Sequence, residues 1–387
     1  MMPRMQNNRA ILFVAVSAAL MVLIWQAATV HGNYGGNWSG LFYTGNRWAL
    51  PPDLSAEKNL IFDNPGYDGQ FYHLVAHDPW MERGFSSFAD NANLRWRRIL
   101  IPVLAFIAAR GEDEKIHASY IGVHLLFVIA GVYWLAGYCS FCGLRPFWGF
   151  AFLAIPSVLV SIDRLTIDTA LAALAIGFIF YASKDDSMPS FALLTLCPLA
   201  RESGLFLTAG TAWDHASRRE WRRLAVSLAS ILPFLLWSLY VRANSFSDGT
   251  PWLSLPFVGI VRRTFHPLQY AITGRWVAVA AILDYAALIG VWIGLVIVAR
   301  MALKRRFGLL ERCAYVFALG ALCLGKADIW SGAYEFGRTM SPLLIMLGLM
   351  AVRDKQRRLL LPLLFVLPRV LLQYDPQVRG IIRNWIG

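Results

Sequence analysis

Charge is scarce in this chain. Of its 387 residues only 16% are Asp, Glu, Lys or Arg, where a soluble globular domain carries about 25%. Cysteine is scarce as well, with 5 residues, which excludes a small disulfide scaffold. The 30 glycines have no period of three, and apolar content is high, so collagen-like and disordered chains are excluded. No Walker loop, no GxGxxG between a strand and a helix, and no nucleophile elbow occurs. Nucleotide-driven transport and a soluble sugar-nucleotide-binding domain therefore lack support. Internal repeats and low-complexity stretches are missing too, so the chain reads as one membrane unit over 1–387.

What it has in quantity is apolar sequence: 57% hydrophobic residues, 15 Trp and 24 Phe. Residues 10–30 form an uncharged run preceded by Arg4 and Arg9, long enough to cross about 30 Å of hydrocarbon as a helix. It lacks a small-x-small cleavage site and reads as an uncleaved first span with a cytoplasmic N-terminus. Further apolar runs lie at about 117–138, 146–162, 165–182, 190–201, 204–214, 224–242, 276–299, 313–325, 339–352 and 358–374. Several are short enough to need tilt or thinning of the membrane.

The net charge of +12 raises nucleic acid as a partner. Its placement argues otherwise. Arg218, Arg219, Arg222 and Arg223 form one cluster, Arg300, Lys304, Arg305, Arg306 and Arg312 a second, and Arg353, Lys355, Arg357 and Arg358 a third. All lie in short connections, where the positive-inside rule assigns them to the cytoplasm. Alternation then gives about eleven transmembrane helices in an all-α polytopic protein. Residues 31–116 become a large first extracytoplasmic loop, and 243–275 a second. The run at 97–110 is too short to span and fits an interfacial or re-entrant helix.

Ionisable residues near membrane depth usually face a cavity or a site. Four stretches bring acid and base to the outer side: Asp63 to Arg98 in the first loop, Asp163 to Asp168, Arg201 with Glu202, and Lys326 to Arg338. In Asn64-Pro-Gly-Tyr-Asp-Gly-Gln-Phe-Tyr-His73, Gly66 and Gly69 flank Asp68 as a turn demands, and a helix follows. Asp68 reads either as its N-cap or as a general base for an acceptor hydroxyl. In Arg95-Trp96-Arg97-Arg98 one or two of the guanidinium groups suit a lipid phosphate, or they snorkel to headgroups. Arg164 and Asp168 are spaced as an intrahelical ion pair, and Arg201 with Glu202 interrupts two apolar halves. His73 and His77, four apart with Asp78 adjacent, are candidate ligands of a divalent metal. Ten outer aromatics, from Trp38 to Tyr334 and including Trp48, Tyr67, Tyr72 and Trp252, suit sugar stacking or interface anchoring.

These residues carry a resemblance. A first span, an outer loop with GYDGQFY and HDP, then RWRRILIPVLA, the R-x-x-x-D of Arg164 and Asp168, and ARESG resemble bacterial membrane glycosyltransferases of the GT-C fold. The group is that of cell-surface glycopolymer formation, more distantly related to lipid-phosphate mannosyl- and arabinosyltransferases. The resemblance is strongest over residues 60–215. It implies inverting transfer of one sugar from a polyprenyl-phosphate donor to a glycan or lipid-linked acceptor outside a bacterial inner membrane. It implies Asp68 as the catalytic carboxylate. Arg98, Arg201 and Arg338 are placed by position on the donor phosphate, with Gln70, Tyr72, Arg97, Arg164, Asp168 and Glu202 in support. Relatives often pair two acids where this chain has Asp68 alone, which leaves metal dependence open. A polyprenol-linked sugar flippase and a non-catalytic assembly scaffold are the competing readings.

Overall fold

A computed structural model describes residues 8–54, 59–245, 253–268, 270 and 275–386. Arg4 and Trp252 lie outside them. The described chain is a helical membrane protein. Its only sheet is one parallel pair of two-residue strands, β1 (Thr44–Gly45) and β2 (Ile61–Phe62), inside the first loop.

The first helix, α1 (Asn8–Asn33), shows why the solvent is lipid. Ile11, Ala15, Ala18, Val22 and Gln26 recur at helical spacing and are buried. The opposite face is equally apolar but uncovered, with Phe13 72% and Ile24 67% exposed. A helix apolar on every side, with one side bare, matches a bilayer on that side.

The first loop folds into three short helices: α2 (Gly69–His77), α3 (Ala92–Arg97) and α4 (Leu100–Ala108). The last of these holds the 97–110 run and has nine residues, too few to cross. Next come α5 (Asp113–Phe141), α6 (Pro156–Arg164), α7 (Asp168–Ala182), α8 (Ser187–Ala200) and α9 (Leu205–Ser217). The pair α10 (Trp221–Ala229) and α11 (Leu232–Asn244) follows, and then α12 (Val258–Phe265), α13 (Arg275–Leu303) and α14 (Leu309–Leu322). The chain closes with α15 (Ala333–Asp354), α16 (Leu361–Leu372) and α17 (Asp375–Ile386).

Among the described residues five segments are long and apolar enough to cross a membrane: α1, α5, α10 with α11, α13 and α15. The number rises to seven if the bent pairs 146–164 and 357–384 each count as one span. The runs at 165–182, 190–201 and 204–214 form helices of 15, 14 and 13 residues. The structure thus supports a multi-pass chain, with fewer full-length spans than the eleven expected.

One apolar core joins α1, α5, α7, α13 and α15, with α7 buried along almost its whole length. The first loop is packed down on this core. Trp237 Nε1 on α11 donates to the Trp96 carbonyl at 2.8 Å, and Tyr240 donates to that of Trp80 at 2.6 Å. All five cysteines are free.

The three basic turns meet at one end. Arg306 pairs with Asp354, Arg223 with Asp185, and Arg353 with Glu311. The start of α7, fifteen residues from its far end, lies about 20 Å away at 1.5 Å per residue.

Candidate active site

Two glycines seat Asp68. Gly66 has φ +77°, the left-handed region open to glycine, and it turns the chain into α2. At Gly69 a Cβ would stand 2.1 Å from the Arg164 carbonyl oxygen and 2.8 Å from that of Phe42. No side chain fits. Gln70 completes the seat, its Oε1 accepting from Gly45 N at 3.1 Å while its Nε2 donates to the Pro65 carbonyl at 3.3 Å. Asp68 precedes the first helical residue, yet its carboxylate makes no capping bond. It is spent on two arginines instead. Arg95 Nη2 stands 2.8 Å from Oδ1, and Arg338 Nη2 donates to Oδ2 at 2.6 Å.

The first arginine comes from α3, whose geometry sorts the RWRR run. Arg95 and Arg98, three apart, turn inward, and the Arg98 side chain is only 4% exposed. Both reach the buried Tyr72 hydroxyl, at 3.3 and 2.7 Å. Arg95 also grips Asp90 with two N–H groups at 2.8 and 2.6 Å. Arg98 grips Glu202 in the same way, at 2.9 and 2.5 Å. Arg97 lies apart from this cluster and donates to the Asn93 carbonyl of its own turn.

Across the cavity, Asp168 opens α7 and pairs with Arg201, which sits in an extended break between α8 and α9. Asp168 Oδ2 is also 3.7 Å from Arg338 Nε. The intrahelical pair expected of Arg164 and Asp168 does not form, because Leu165 at φ +43° ends α6 between them. Arg164 instead pairs with Asp163 at 3.1 Å and stacks its guanidinium 3.5 Å from the Tyr43 ring centre. Likewise Arg201 and Glu202 are not each other's partners. Each bonds across the cavity.

These side chains enclose about 400 Å³, within the range of about 300–1,000 Å³ of small-molecule sites. Asp68, Arg95, Arg98, Arg201, Glu335 and Arg338 line it, with Arg47, Trp48, Asp90, Lys326 and Asp328 at its walls. Six basic and four acidic residues line it, and Asp168 and Glu202, bonded to Arg201 and Arg98, bring the charges into balance. Arg338 is the distinctive member. It is 8% exposed, and its Nε and Nη1 have no hydrogen-bond partner.

Burial alone pushes the Asp68 carboxyl up, but Arg95 and Arg338 outweigh it and hold the group far below the usual carboxylate range. Glu202 shows the same balance, with Arg98 bringing it down to about 2 against burial. Both are carboxylates at every physiological pH.

The structure therefore brings Asp68, Tyr72, Arg98, Asp168, Arg201, Glu202 and Arg338 together, uses Gln70 to hold the turn, and leaves Arg97 and Arg164 outside. Sequence reasoning passed over Arg95 as a contact of Asp68 and Glu335 as a wall residue. The spacing of Arg95 and Arg98 was the available signal for the first. Of the outer aromatics, Trp48 lines the cavity and Tyr67 lies under Arg338, 5.3 Å from its guanidinium. Trp96 is fully buried, donating to the Asp78 carbonyl.

The metal candidates divide. Asp78 is a loop cap, its two oxygens accepting from the backbone N–H groups of Glu82, Arg83 and Phe85, so it is no partner of the histidines. His73 and His77 do meet, and His117 on α5 joins them, the three offering ligand atoms within 4.8 Å of one another.

No protein-family model, curated protein or solved structure matches the chain.

Proposed function

We propose that the protein is an inverting glycosyltransferase that takes a sugar from a polyprenyl-phosphate donor. The observation that carries the reading is Arg338: a buried guanidinium with two nitrogens that lack a hydrogen bond, beside a carboxylate, in a cavity lined by three further arginines that reach into the same cluster. An anion fits those two open donors. Arg338 with Arg98 or Arg201 suits a phosphate, for which the guanidinium fork is built.

The chemistry follows from charge. The acceptor hydroxyl forms a bond to the anomeric carbon as the bond from that carbon to the phosphate oxygen breaks, and the hydroxyl proton passes to Asp68. The donor is a phosphodiester with one negative charge, and the leaving polyprenyl phosphate is a monoester heading for two. Arginines aimed at the phosphate therefore gain most in the transition state. A carboxylate clamped by two arginines is a weak base. A phosphate that engages Arg338 loosens that clamp and raises the basicity of Asp68 as the donor arrives.

Under this reading the chain is of the GT-C type, and the shorter helices α7, α8 and α9 also cross, which raises the count toward eleven. The cavity faces outward across a bacterial inner membrane, and the three basic turns face the cytoplasm.

The test is transfer of radiolabel from a panel of polyprenyl-phosphate sugars by the purified protein in lipid. We expect Asp68→Asn to lower the rate by about 10²–10⁴-fold, the usual worth of a general base. Transfer at the wild-type rate in that variant removes Asp68 from the chemistry. No transfer with any donor favours the flippase or scaffold reading.

A further inference from the structure

We propose that His73, His77 and His117 bind one zinc ion that clamps α2 against α5. The rings come from two helices. His73 and His77 are one turn apart on α2, and His117 stands one turn into α5. His73 Nε2 lies 3.0 Å from His77 Nε2 and 2.8 Å from His117 Nε2.

Hydrogen bonds among the neutral rings do not satisfy this arrangement. His77 Nδ1 is 2.6 Å from the Asp113 carboxylate, which accepts and does not donate, so the His77 proton is on Nδ1 and its Nε2 is a bare lone pair. His73 Nε2 then either donates to His77 or accepts from His117. One nitrogen does not do both. At least one of the two close contacts is left without a hydrogen bond, in a site where His73 is 1% and His77 2% exposed. A cation at the centre satisfies all three lone pairs at once.

The surroundings are those of a metal centre. A carboxylate on the far nitrogen of a ligating histidine fixes its tautomer and raises its basicity. Asp113 is itself held by Arg83, with Nη1 at 2.8 Å and Nη2 at 2.9 Å. The Phe42 ring stacks on His73, centres 4.2 Å apart and 19° from parallel, which locks that ring. Zinc bonds of about 2.0–2.1 Å in tetrahedral geometry set neighbouring nitrogens about 3.3 Å apart, so the two contacts to His73 open by a few tenths of an ångström, and His77 and His117 already stand within 4.8 Å. Imidazole nitrogens in a tetrahedral set suit zinc, and the partly buried His117 leaves the fourth position to water. His73 is five residues beyond Asp68, on the helix that Asp68 leads into, so the ion braces the seat of the carboxylate without touching the cavity.

The experiment is metal analysis of the purified full-length protein in detergent, equilibrated with zinc and desalted. About one zinc per chain is expected. His117→Gln loses it, Asp113→Asn binds it about 10–100-fold more weakly, and the exposed His266→Gln retains it. Cobalt added to zinc-free wild type gives the visible absorption of a four-coordinate ion, a readout that depends on no variant folding. Substoichiometric zinc together with no cobalt spectrum overturns the site. So does full zinc content in a monodisperse His117→Gln protein. Neither measurement uses glycosyl transfer, so the site stands or falls apart from the proposed reaction.

Discussion

The two ends of α7 hold two charged regions of the molecule, and they differ in how much of their charge is buried. At its start, carboxylates and arginines from five separate segments pair across a cavity of about 400 Å³, and most are buried. At its other end a larger cavity, about 860 Å³, is bordered by Arg218, Arg222, Arg223 and Arg353 with Asp185 and Asp186. There the contacts are mixed: Arg312 pairs with Asp214 and both are buried, but Arg218 reaches the same Asp214 from four residues away with its side chain 53% exposed, and Arg223 pairs with Asp185, side chains 55% and 79% exposed. Size does not locate the chemistry. A buried site makes each charge expensive to leave unpaired, so an arginine inside it with N–H groups that lack a hydrogen bond is informative, whereas exposed arginines in water are not.

The sharpest way to break the comparison is to remove one arginine from each end. Arg338→Ala is expected to lower transfer by about 10³-fold, and Arg338→Lys to restore it only in part, because a point charge does not reproduce a planar fork. Arg222→Ala at the basic end should leave the rate within about twofold, as surface substitutions do. Equal losses from the two changes, read as initial rates, erase the distinction.

Stability offers a second contrast. Arg98→Ala strands Glu202 and should cost about 2–3 kcal/mol in denaturant unfolding. That is below the about 3–5 kcal/mol of a fully buried pair, because the Glu202 side chain keeps 30% of its surface. Arg223→Ala should cost less than about 1 kcal/mol. A reversed order refutes the claim that one end is the more buried.

The smallest effect is in the acid range. Asp68 and Glu202 are both depressed in the folded protein, so their contribution is complete above the ordinary carboxylate range and is lost only as pH falls through the folded values. Thermal unfolding should be flat in this respect from pH 8 to pH 5 and weaken between about 4.5 and 2. Glu202→Gln should shrink that acid limb, and an unchanged limb argues against the Arg98 clamp.

Some of this was legible in the sequence, for physical reasons that can be named. Apolar runs announce helices because lipid leaves them no alternative. Scarce charge marked out Asp68, Arg201 and Arg338, and the break at Arg201 and Glu202 between α8 and α9 could be seen in the letters. Partnership could not be read. Arg164 and Asp168 had helical spacing, and only the left-handed turn at Leu165 separates them. Arg95 stood beside Arg97 and Arg98, and which of the three turned inward depended on how α3 lies against α2 and α11. His117 is 40 residues beyond His77, so nothing local joins it to that pair.

The seat of Asp68 has a consequence for how such a protein diversifies. Gly69 is pressed against the main chain of Arg164 and Phe42, backbone on backbone, with no side chain between. An anchor of that kind has no dial, since exchanging neighbouring side chains does not shift it by degrees. Variation in what the cavity accepts is left to its rim, at Arg47, Trp48, Lys326 and Asp328, while the carboxylate stays at one fixed address.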